Sequence, residues 1–297
     1  MAQVVIAGCG YVGNALARQL VGQQHEVFGI RRDISGLADG IRGIAGDVAQ
    51  PGSLGPAPKR VDCAVYAVGA VDGSEQAYRR AYLDGLAGFL QWLADEGQRP
   101  RRLVMASSTS VYGQRRGEWI DEDSPTHPTT FRGETLLASE RLLATSGLST
   151  VIVRFGGIYG PGRESLIDRA RDGKLLLRSS AHFTNRIHRD DAAGVLAHLL
   201  FHSSPEPLYL GVDDEAAEEG ELHEWLADQL GAPPPLEIDD EESGRGAGDE
   251  RRTGNAPRRS AGSKRCSNRR LRESGYVFRY PTFREGYGEL IRARSRN

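Results

Sequence analysis

Cysteine and lysine are both scarce in this chain of 297 residues. The three cysteines are odd in number, far apart and in no metal-ligand spacing. We therefore expect neither a disulfide framework nor a bound metal, but free thiols in a reducing compartment. Of the 38 basic side chains, all but three are arginines, which leaves few positions for a mechanism that needs a lysine. These cysteines and lysines are Cys9, Cys63, Cys266, Lys59, Lys174 and Lys264.

Long apolar runs and an excess of one charge are also absent. No stretch approaches the ~18 consecutive apolar residues of a membrane-spanning helix. The N-terminus lacks the charged segment and apolar run of a signal peptide. The formal net charge is −2, which gives no overall attraction to nucleic acid or to an anionic membrane. We therefore expect a cytoplasmic protein whose partner is a small-molecule substrate, with no nucleic-acid and no membrane partner.

Hydrophobic periodicity predicts an α/β fold. Short apolar runs rich in β-branched residues alternate with segments of helical spacing. This alternation indicates a doubly wound parallel sheet of the Rossmann type. Predicted strands cover residues 4–7, 26–30, a segment ending near 46–47, 61–68, 102–107, 150–155 and 208–210. Predicted helices follow the first turn and cover residues 77–94, 134–144, 190–201 and 219–230.

The regular alternation loosens near residue 156. We expect a Rossmann domain over residues 1–155 and a smaller, mixed C-terminal subdomain over residues 156–297, interleaved with the first. Residues 232–264 are rich in Pro, Gly, Ser and charge, and we interpret them as a long mobile loop. The acidic first half of this loop offsets its basic second half, which argues against a nucleic-acid site there.

A glycine-rich turn directly follows the first predicted strand. Its G-x-G-x-x-G motif consists of Gly8, Gly10 and Gly13, and Tyr11 and Val12 open the next helix. The first glycine permits the tight turn, the second lets a pyrophosphate approach the backbone, and the third lets the helix pack on the sheet. The free N–H groups at the helix N-terminus suit phosphate. The motif therefore predicts a dinucleotide site.

The end of the second strand sets the expected choice between NAD and NADP. A carboxylate there would bind the ribose 2′-hydroxyl of NAD, whereas an arginine suits the 2′-phosphate of NADP. The chain has Arg31 and Arg32 at this point, followed by Asp33. We expect NADP(H) to be preferred, with NAD(H) as the alternative. The other expected dinucleotide contacts, near the ends of later strands, are Asp47, Val48, Ala67, Val68, Gly69 and Ser107.

Three longer motifs follow in order along the chain. S-S-T-S-V-Y-G covers residues 107–113, R-F-G-G-I-Y-G-P-G-R covers residues 154–163, and N-R-I-H-R-D-D covers residues 185–191. Shorter C-terminal matches follow at 267–271, 275–276 and 285–286. Together with the glycine turn, these motifs resemble the extended short-chain dehydrogenase/reductase superfamily, in its NAD-dependent epimerase/dehydratase group. The resemblance spans nearly the whole chain, and it implies NAD(P) binding in the N-terminal part and a substrate pocket in the C-terminal part.

The resemblance also implies a catalytic set of serine, tyrosine and lysine. Ser108 matches the serine, which would bind the reacting oxygen of the substrate. The tyrosine and lysine should follow as Y-x-x-x-K, but Phe131 and Thr135 stand there, and the neighbouring register gives Arg132 and Leu136. No lysine of the chain has a tyrosine four residues before it, so the usual proton-transfer pair is missing. Residues 82–86 also depart from the superfamily's usual N-V-x-G-T segment.

Other side chains could replace the missing pair. Tyr112, Tyr159 and His188 lie on segments that should border the pocket, and His127 and Glu134 flank the position of the lost tyrosine. Each also has a structural interpretation, with the tyrosines as packing residues, His188 supporting its loop, His127 exposed, and Glu134 at the positive end of its helix. Together with Ser108, the catalytic candidates are Tyr112 and His188.

Two functions follow from this sequence. The first is an epimerase/dehydratase-like oxidoreductase that binds NAD(P) and acts on a small polar metabolite, such as a nucleotide sugar, by a non-standard acid/base arrangement. The second is a catalytically inactive sensor or regulatory protein that binds NADP(H). The resemblance further implies a homodimer through helices 77–94 and 134–144. Four arginines could form an anion pocket for the substrate, although surface ion pairs fit each of them equally: Arg154, Arg163, Arg186 and Arg189.

Overall fold

A parallel sheet of seven strands forms the centre of the computed structural model, which describes residues 1–238 and 262–296. From one edge to the other, the strands are β12 (Leu208–Gly211), β7 (Thr150–Phe155), β5 (Arg102–Ser108), β4 (Cys63–Tyr66), β1 (Gln3–Ala7), β2 (Glu26–Arg31) and β3 (Ile41–Ala45). The strand order reverses between β1 and β4, and a doubly wound sheet opens a ligand cleft at such a point. The predicted Rossmann-type fold class is confirmed.

Helices cover both faces of this sheet. On one face, α1 and α6 bury apolar side chains that include Leu16, Leu20 and Leu196. On the other face, α3 buries Phe89 and Trp92. In chain order, the helices are α1 (Tyr11–Gly22), α2 (Glu75–Arg79), α3 (Gly85–Asp95), α4 (Phe131–Ala144), α5 (Ser165–Arg171), α6 (Arg189–Phe201), α7 (Glu219–Leu230), α8 (Arg269–Glu273) and α9 (Phe283–Arg294).

The helix predicted over residues 77–94 is interrupted by a π turn at Arg80–Asp84. A Cβ at Gly88 would lie 2.0 Å from the Val48 carbonyl oxygen, so α3 lies directly against the loop that follows β3. The wider turn is stabilised from the sheet, because the Tyr66 hydroxyl donates to the Ala81 carbonyl at 2.5 Å. A π turn inside an α-helix often marks a functional site.

Short strands outside the main sheet form pairs, and all of them except the one at Arg116–Ile120 belong to the C-terminal part. They pair as β8 (Gly157–Tyr159) with β11 (Arg186–His188), β6 (Arg116–Ile120) with β15 (Ser263–Cys266), β9 (Leu176–Arg178) with β14 (Leu236–Ile238), and β10 (Phe183–Thr184) with β13 (Ala217–Glu218). The division at residue 155 stays a prediction. β12, which follows that residue, completes the edge of the main sheet.

The predicted mobile loop at 232–264 is too long at both ends. Both of its ends are paired strands, β14 and β15. Their sequences, L-E-I and S-K-R-C, are too short and too polar to show a two-residue alternation. These two strands form because each pairs with a strand far away in the chain, β14 with β9 and β15 with β6. The remainder of that prediction, residues 239–261, lies outside the described residues.

Three further features concern the cysteines, membrane-spanning helices and metal-binding clusters. Cys9, Cys63 and Cys266 are free and buried. Among the described residues, no helix has the length and apolar character to cross a membrane. Within the same ranges, 1–238 and 262–296, no cluster of three His, Cys, Asp or Glu side chains is arranged to hold a metal ion.

Candidate functional site

The glycine turn between β1 and α1 is closed on the sheet side and open at its tip. Gly8 has a φ of +83°, and a Cβ there would lie 2.5 Å from the Val68 nitrogen. A Cβ at Gly13 would lie 2.3 Å from the Gly8 carbonyl oxygen. At Gly10 the nearest such atom is 4.0 Å away. The first and third glycines are therefore required by close packing, whereas the second faces open space.

Helix α1 begins at this open point with a positive end that no residue of its own first turn neutralises. Gly10 is its N-cap and supplies no side chain to cap it, and its first turn contains no acidic residue. Unpaired N–H groups and the helix dipole favour an anion there. Gly10 and Tyr11 border a cleft of about 550 Å³, together with Asn14, Arg31 and Arg189. Val12 points away from this cleft and packs beside the apolar core.

Two arginines from the C-terminal part cover Tyr11. The guanidinium carbon of Arg163 lies 4.1 Å from the centre of the Tyr11 ring, and that of Arg189 lies 5.4 Å from it. The Tyr11 hydroxyl is buried and has no hydrogen-bond partner among the described residues. Arg163 and Arg189 were considered for a substrate pocket, and their meeting at the glycine turn was not predicted. The pairing of β8 with β11 brings their two loops together.

The basic residues that follow β2 differ in their positions. Arg31 lines the cleft, and its Nη1 donates to the Gly36 carbonyl at 3.2 Å. Arg32 is exposed. The Asp33 carboxylate accepts the Ser35 backbone N–H at 2.9 Å and caps a short turn, and hydrogen bonds from the Ser35 side chain and backbone lower the pKa of Asp33. This carboxylate therefore already has a hydrogen-bond partner within its own loop.

The other predicted dinucleotide contacts lie at the same edge of the sheet. The Asp47 carboxylate pairs with Arg80 at 2.8 Å. Val48 is buried against α3, so its side chain belongs to the core. Ala67 and Val68 lie directly against Gly8, and Gly69 follows them with open space around it.

Ser107 and Tyr112 are held in a buried polar network behind the cleft. The Ser107 hydroxyl donates to Glu140 at 2.6 Å, and the Arg154 guanidinium makes two hydrogen bonds to the same carboxylate, at 3.0 and 2.6 Å. Arg154 also donates to the Tyr112 hydroxyl at 2.7 Å, and Tyr112 donates to the Asp121 carbonyl at 2.9 Å. These contacts give Ser107, Tyr112 and Arg154 structural partners.

The position of the expected tyrosine carries no proton-transfer group. Phe131 begins α4, and its ring meets the Tyr78 ring edge-on at 5.7 Å. Thr135, four residues later, is buried. Ser108 is half-buried at the end of β5, and its Oγ accepts the Ser110 N–H at 3.2 Å.

Tyr82 carries a hydroxyl that was not among the catalytic candidates predicted from the sequence. The π turn places its ring 5.4 Å from the Tyr78 ring, which in turn contacts Phe131. Burial raises the pKa of Tyr82 to about 12, against the effects of the Ala70 N–H, which donates to Tyr82, and of the Arg163 charge. Tyr82 thus brings a protonated hydroxyl to the end of β4. The departure of residues 82–86 from the family's usual segment was the available signal.

His188 is buried and serves as the N-cap of α6. Its Nδ1 accepts the Asp190 N–H at 3.2 Å, and its ring lies 4.0 Å from the Tyr280 ring. Burial lowers the pKa of His188, which favours the neutral ring. Tyr159 stacks on Tyr287 at 4.4 Å. His127 and Glu134 are both exposed, at a loop and at the first turn of α4.

The four arginines considered for an anion pocket are not brought together. Arg154 belongs to the network with Glu140. Arg186 is buried and donates to the Thr184 hydroxyl at 2.6 Å. Only Arg163 and Arg189 share a neighbour, the ring of Tyr11. Of these four arginines, Arg163 and Arg189 are therefore the pair that meets at the glycine turn.

Comparison with known proteins places this geometry in a family context. A model of the NAD dependent epimerase/dehydratase family matches residues 4–204. The chain is 28% identical over 259 residues to 3-diazoavenalumate denitrifying reductase of a Streptomyces species, which covers 78% of this chain and 83% of that protein. It is 30% identical over 255 residues to 2-alkyl-3-oxoalkanoate reductase of Stenotrophomonas maltophilia, covering 77% and 76% respectively.

Solved structures resemble the chain over nearly its full length. One described as an NAD-dependent epimerase/dehydratase, from Methylobacillus flagellatus, has a TM-score of 0.78 at 34% identity and covers 99% of both chains. Two more distant structures share the fold. Human epimerase family protein SDR39U1 with NADPH has a TM-score of 0.74 at 21% identity, covering 94% of this chain and 96% of that one. Thermus thermophilus UDP-glucose 4-epimerase with NAD has a TM-score of 0.74 at 19% identity, covering 96% of both.

Proposed function

Because the chain belongs to the NAD dependent epimerase/dehydratase family, we propose that it is an NAD(P)(H)-dependent oxidoreductase that acts on a small polar substrate. The observation that carries this proposal is the open tip of the glycine turn. Gly8 and Gly13 are closed against backbone atoms, whereas Gly10 faces free space at the uncapped N-terminus of α1. A positive helix end with no acidic residue in its first turn fits a pyrophosphate.

The residues that would hold the dinucleotide surround this tip. The backbone of Gly10, Tyr11 and Val12 would receive the pyrophosphate. The segment 67–69 would line the path of the dinucleotide across the sheet, because Val68 lies against Gly8. Asp47 and Ser107 border the same edge, each with its side chain bonded to a neighbour.

We infer that NADP(H) is preferred over NAD(H). Arg31 lines the cleft next to the glycine turn, and Arg32 follows it on the surface. Asp33 is the nearby carboxylate that could have favoured a ribose 2′-hydroxyl, but it accepts the Ser35 N–H. A guanidinium without a competing carboxylate suits a 2′-phosphate.

The proposed chemistry is reduction of a carbonyl group. When bound, the reduced dinucleotide supplies a hydride to the substrate carbon. The chain must then deliver a proton to the substrate oxygen, and we assign this to Tyr82, with Ser108 binding that oxygen. The Tyr82 O–H bond breaks as the new O–H bond of the product alcohol forms, and the phenolate regains a proton from water. Tyr112 and His188 act as supports, because their polar atoms are bonded to Asp121, Arg154 and Asp190.

The substrate class is inferred from chemistry shared with relatives. Two curated relatives are named as reductases, one of them acting on a 3-oxoalkanoate. These two names support testing the reduction of a small carbonyl compound first. A nucleotide sugar is the second substrate to test. A homodimer through α3 and α4 is a further expectation, to be tested by the molecular mass in solution.

A second candidate function is a dinucleotide-binding protein without turnover. The specific observation that favours it is the phenylalanine at position 131, followed by a buried threonine at position 135, where the family resemblance implies tyrosine and lysine. Such a protein would keep the glycine turn and lose proton transfer.

Calorimetric titration with NADPH and NADH tests the proposal directly. We expect NADPH to bind more tightly, and the double change Arg31→Ala/Arg32→Ala to reduce the ratio of the two affinities by about tenfold or more, or ~1.4 kcal/mol. Arg42→Ala is the matched control, because Arg42 is exposed and pairs with Glu26. Failure of the wild-type protein to bind either dinucleotide would refute the proposal.

A carbonyl screen with NADPH then separates the enzyme from the non-catalytic alternative. Dinucleotide oxidation followed at 340 nm should appear with a subset of oxo acids and aldehydes. Tyr82→Phe should lower kcat by about 100-fold, within the range expected for loss of a general acid, while Tyr78→Phe should retain it. Tight binding of NADPH with no turnover across the panel would favour the non-catalytic function.

A further inference from the structure

We propose that Arg163 and Arg189 bind the pyrophosphate of the dinucleotide, so that the C-terminal part of the chain closes the site that the glycine turn opens. This inference rests on the proposed function and adds two ligand-binding residues that lie outside the glycine motif.

The two arginines stand at the positive end of α1. Tyr11 is the first residue of this helix and follows Gly10 directly. Arg163 and Arg189 have their guanidinium carbons 4.1 and 5.4 Å from the centre of the Tyr11 ring. Both cations therefore lie over the side chain of the first helical residue, and Arg189 borders the same cleft as Gly10, whose helix end would receive a pyrophosphate.

Little negative charge balances this group. Arg163 forms no ion pair with any residue of 1–238 or 262–296, and its neighbour Glu164 pairs with Arg294. Arg189 pairs with Asp190 at 2.9 Å and also donates to the Pro161 carbonyl at 3.5 Å. Two arginines and a helix N-terminus thus have Asp190 and Glu164 as their nearby carboxylates, and Glu164 is already paired with Arg294. Such concentrated positive charge is unfavourable by itself and is relieved by an anion.

The position of Arg163 is fixed by its backbone. The Arg163 N–H donates to the Gly160 carbonyl at 2.8 Å, which closes a tight turn. Gly160 and Gly162 have φ values of +140° and +81°, so this turn depends on glycine. A Cβ at Gly160 would lie 3.2 Å from the Tyr11 hydroxyl and 3.0 Å from His188 Nε2. The turn is therefore seated between the start of α1 and the cap of α6.

The chemistry of the pair matches a diphosphate. A guanidinium presents planar N–H donors that bind phosphate oxygens with charge-assisted hydrogen bonds. Two guanidinium groups on separate loops can each take one phosphate of a pyrophosphate. The unpartnered Tyr11 hydroxyl adds a third donor at the same place. The contact with the Tyr11 ring positions both arginines in the absence of ligand.

The experiment compares three ligands by calorimetry on the full chain: NADPH, ADP-ribose, which contains the pyrophosphate, and 2′-AMP, which does not. We expect Arg163→Gln to raise the Kd of NADPH and of ADP-ribose by about 10- to 100-fold, and that of 2′-AMP by less than about twofold. Arg189→Gln should have a smaller effect, because Asp190 already takes part of its charge. Arg163→Lys should lie between wild type and Arg163→Gln.

Arg171→Gln is the matched control, since it removes the same charge from an exposed position at the end of α5. Thermal melting checks that every variant is folded. An unchanged Kd of ADP-ribose in Arg163→Gln overturns the inference and leaves the dinucleotide site intact. An equal loss for 2′-AMP also overturns it, because the arginines would then act on another phosphate or through general attraction. If wild type binds neither NADPH nor ADP-ribose, the inference and the proposed function fail together.

Discussion

Replacing Gly10 with aspartate should separate folding from ligand binding. No neighbouring atom lies closer than 4.0 Å to a new Cβ at Gly10, so a larger residue has room, but the φ of −94° and ψ of −135° lie outside the β region that N-cap side chains prefer. Aspartate is a good N-cap, better than glycine by a few tenths of a kcal/mol. Its charge at the positive helix end adds ~0.3–1 kcal/mol. The backbone conformation of Gly10 offsets part of these gains, so we expect Gly10→Asp to change the free energy of unfolding by less than about 1 kcal/mol, or the Tm by less than ~3 °C.

The same change should weaken dinucleotide binding by at least about 30-fold. Two like charges about 4 Å apart repel by ~1 kcal/mol in water and by ~4 kcal/mol in a partly buried site. A pyrophosphate carries two charges, so the lower limit is ~2 kcal/mol, which corresponds to a loss of affinity of about 30-fold. Scanning fluorimetry gives the Tm, and calorimetry gives the Kd of NADPH.

The matched control is Gly22→Asp, at the other end of the same helix. Gly22 also has no atom within 4 Å of a new Cβ. The aspartate there opposes the helix dipole, so it should lower stability by ~0.3–1 kcal/mol and leave NADPH binding unchanged. The reasoning is refuted if Gly10→Asp binds NADPH with wild-type affinity, or if it loses more than about 2 kcal/mol of stability, the range of a buried clash.

Two further predictions concern groups away from the open turn. Glu140→Gln leaves the buried Arg154 charge without its partner carboxylate, so urea unfolding should show that the free energy of unfolding falls by ~3–5 kcal/mol. The exposed Glu134→Gln on the same helix should lower it by less than ~0.5 kcal/mol. Equal losses in the two variants would show that the Glu140–Arg154 pair does not stabilise the fold. Burial lowers the pKa of His188 in the folded state, so its contribution to stability is present above the unfolded value of about 6.5 and is lost as the pH falls. His188→Asn keeps a capping side chain for Asp190 and should reduce the slope of stability between pH 6.5 and 5 by up to ~1.4 kcal/mol per pH unit; an unchanged slope would show that His188 does not titrate in this range.

Local sequence signals predicted the central elements well. The main-sheet strands up to Phe155 were predicted because each carries an apolar run within its own segment, whereas β6 was not predicted. The turn at Gly8, Gly10 and Gly13 could be read for the same reason, since its geometry depends on residues within one strand, turn and helix. Prediction was poorer where the period is short or polar, as in the strand pairs of the C-terminal part.

The roles of several residues in the candidate site could not be predicted from the sequence. Tyr112 was selected because its motif lies near the pocket, yet its hydroxyl is bonded to Arg154, which lies 42 positions away. Tyr82 was not selected, because its position beside Tyr78 depends on a π turn, and the unusual segment 82–86 was the only sequence signal for it. Arg163 and Arg189 were considered only as members of a larger group, and their common contact with Tyr11 comes from the pairing of β8 with β11.

By itself, the sequence determined the Rossmann-type fold, the open glycine turn and the loss of the tyrosine and lysine pair. Each of these depends on residue identity at fixed local spacing, where backbone sterics and hydrophobic alternation act over a few residues. Only the tertiary structure decided which hydroxyls are bonded inside the protein and which arginines meet at the helix end. Those partners lie far apart in the chain, and the packing of the sheet and its loops alone brings their long side chains within reach of one another.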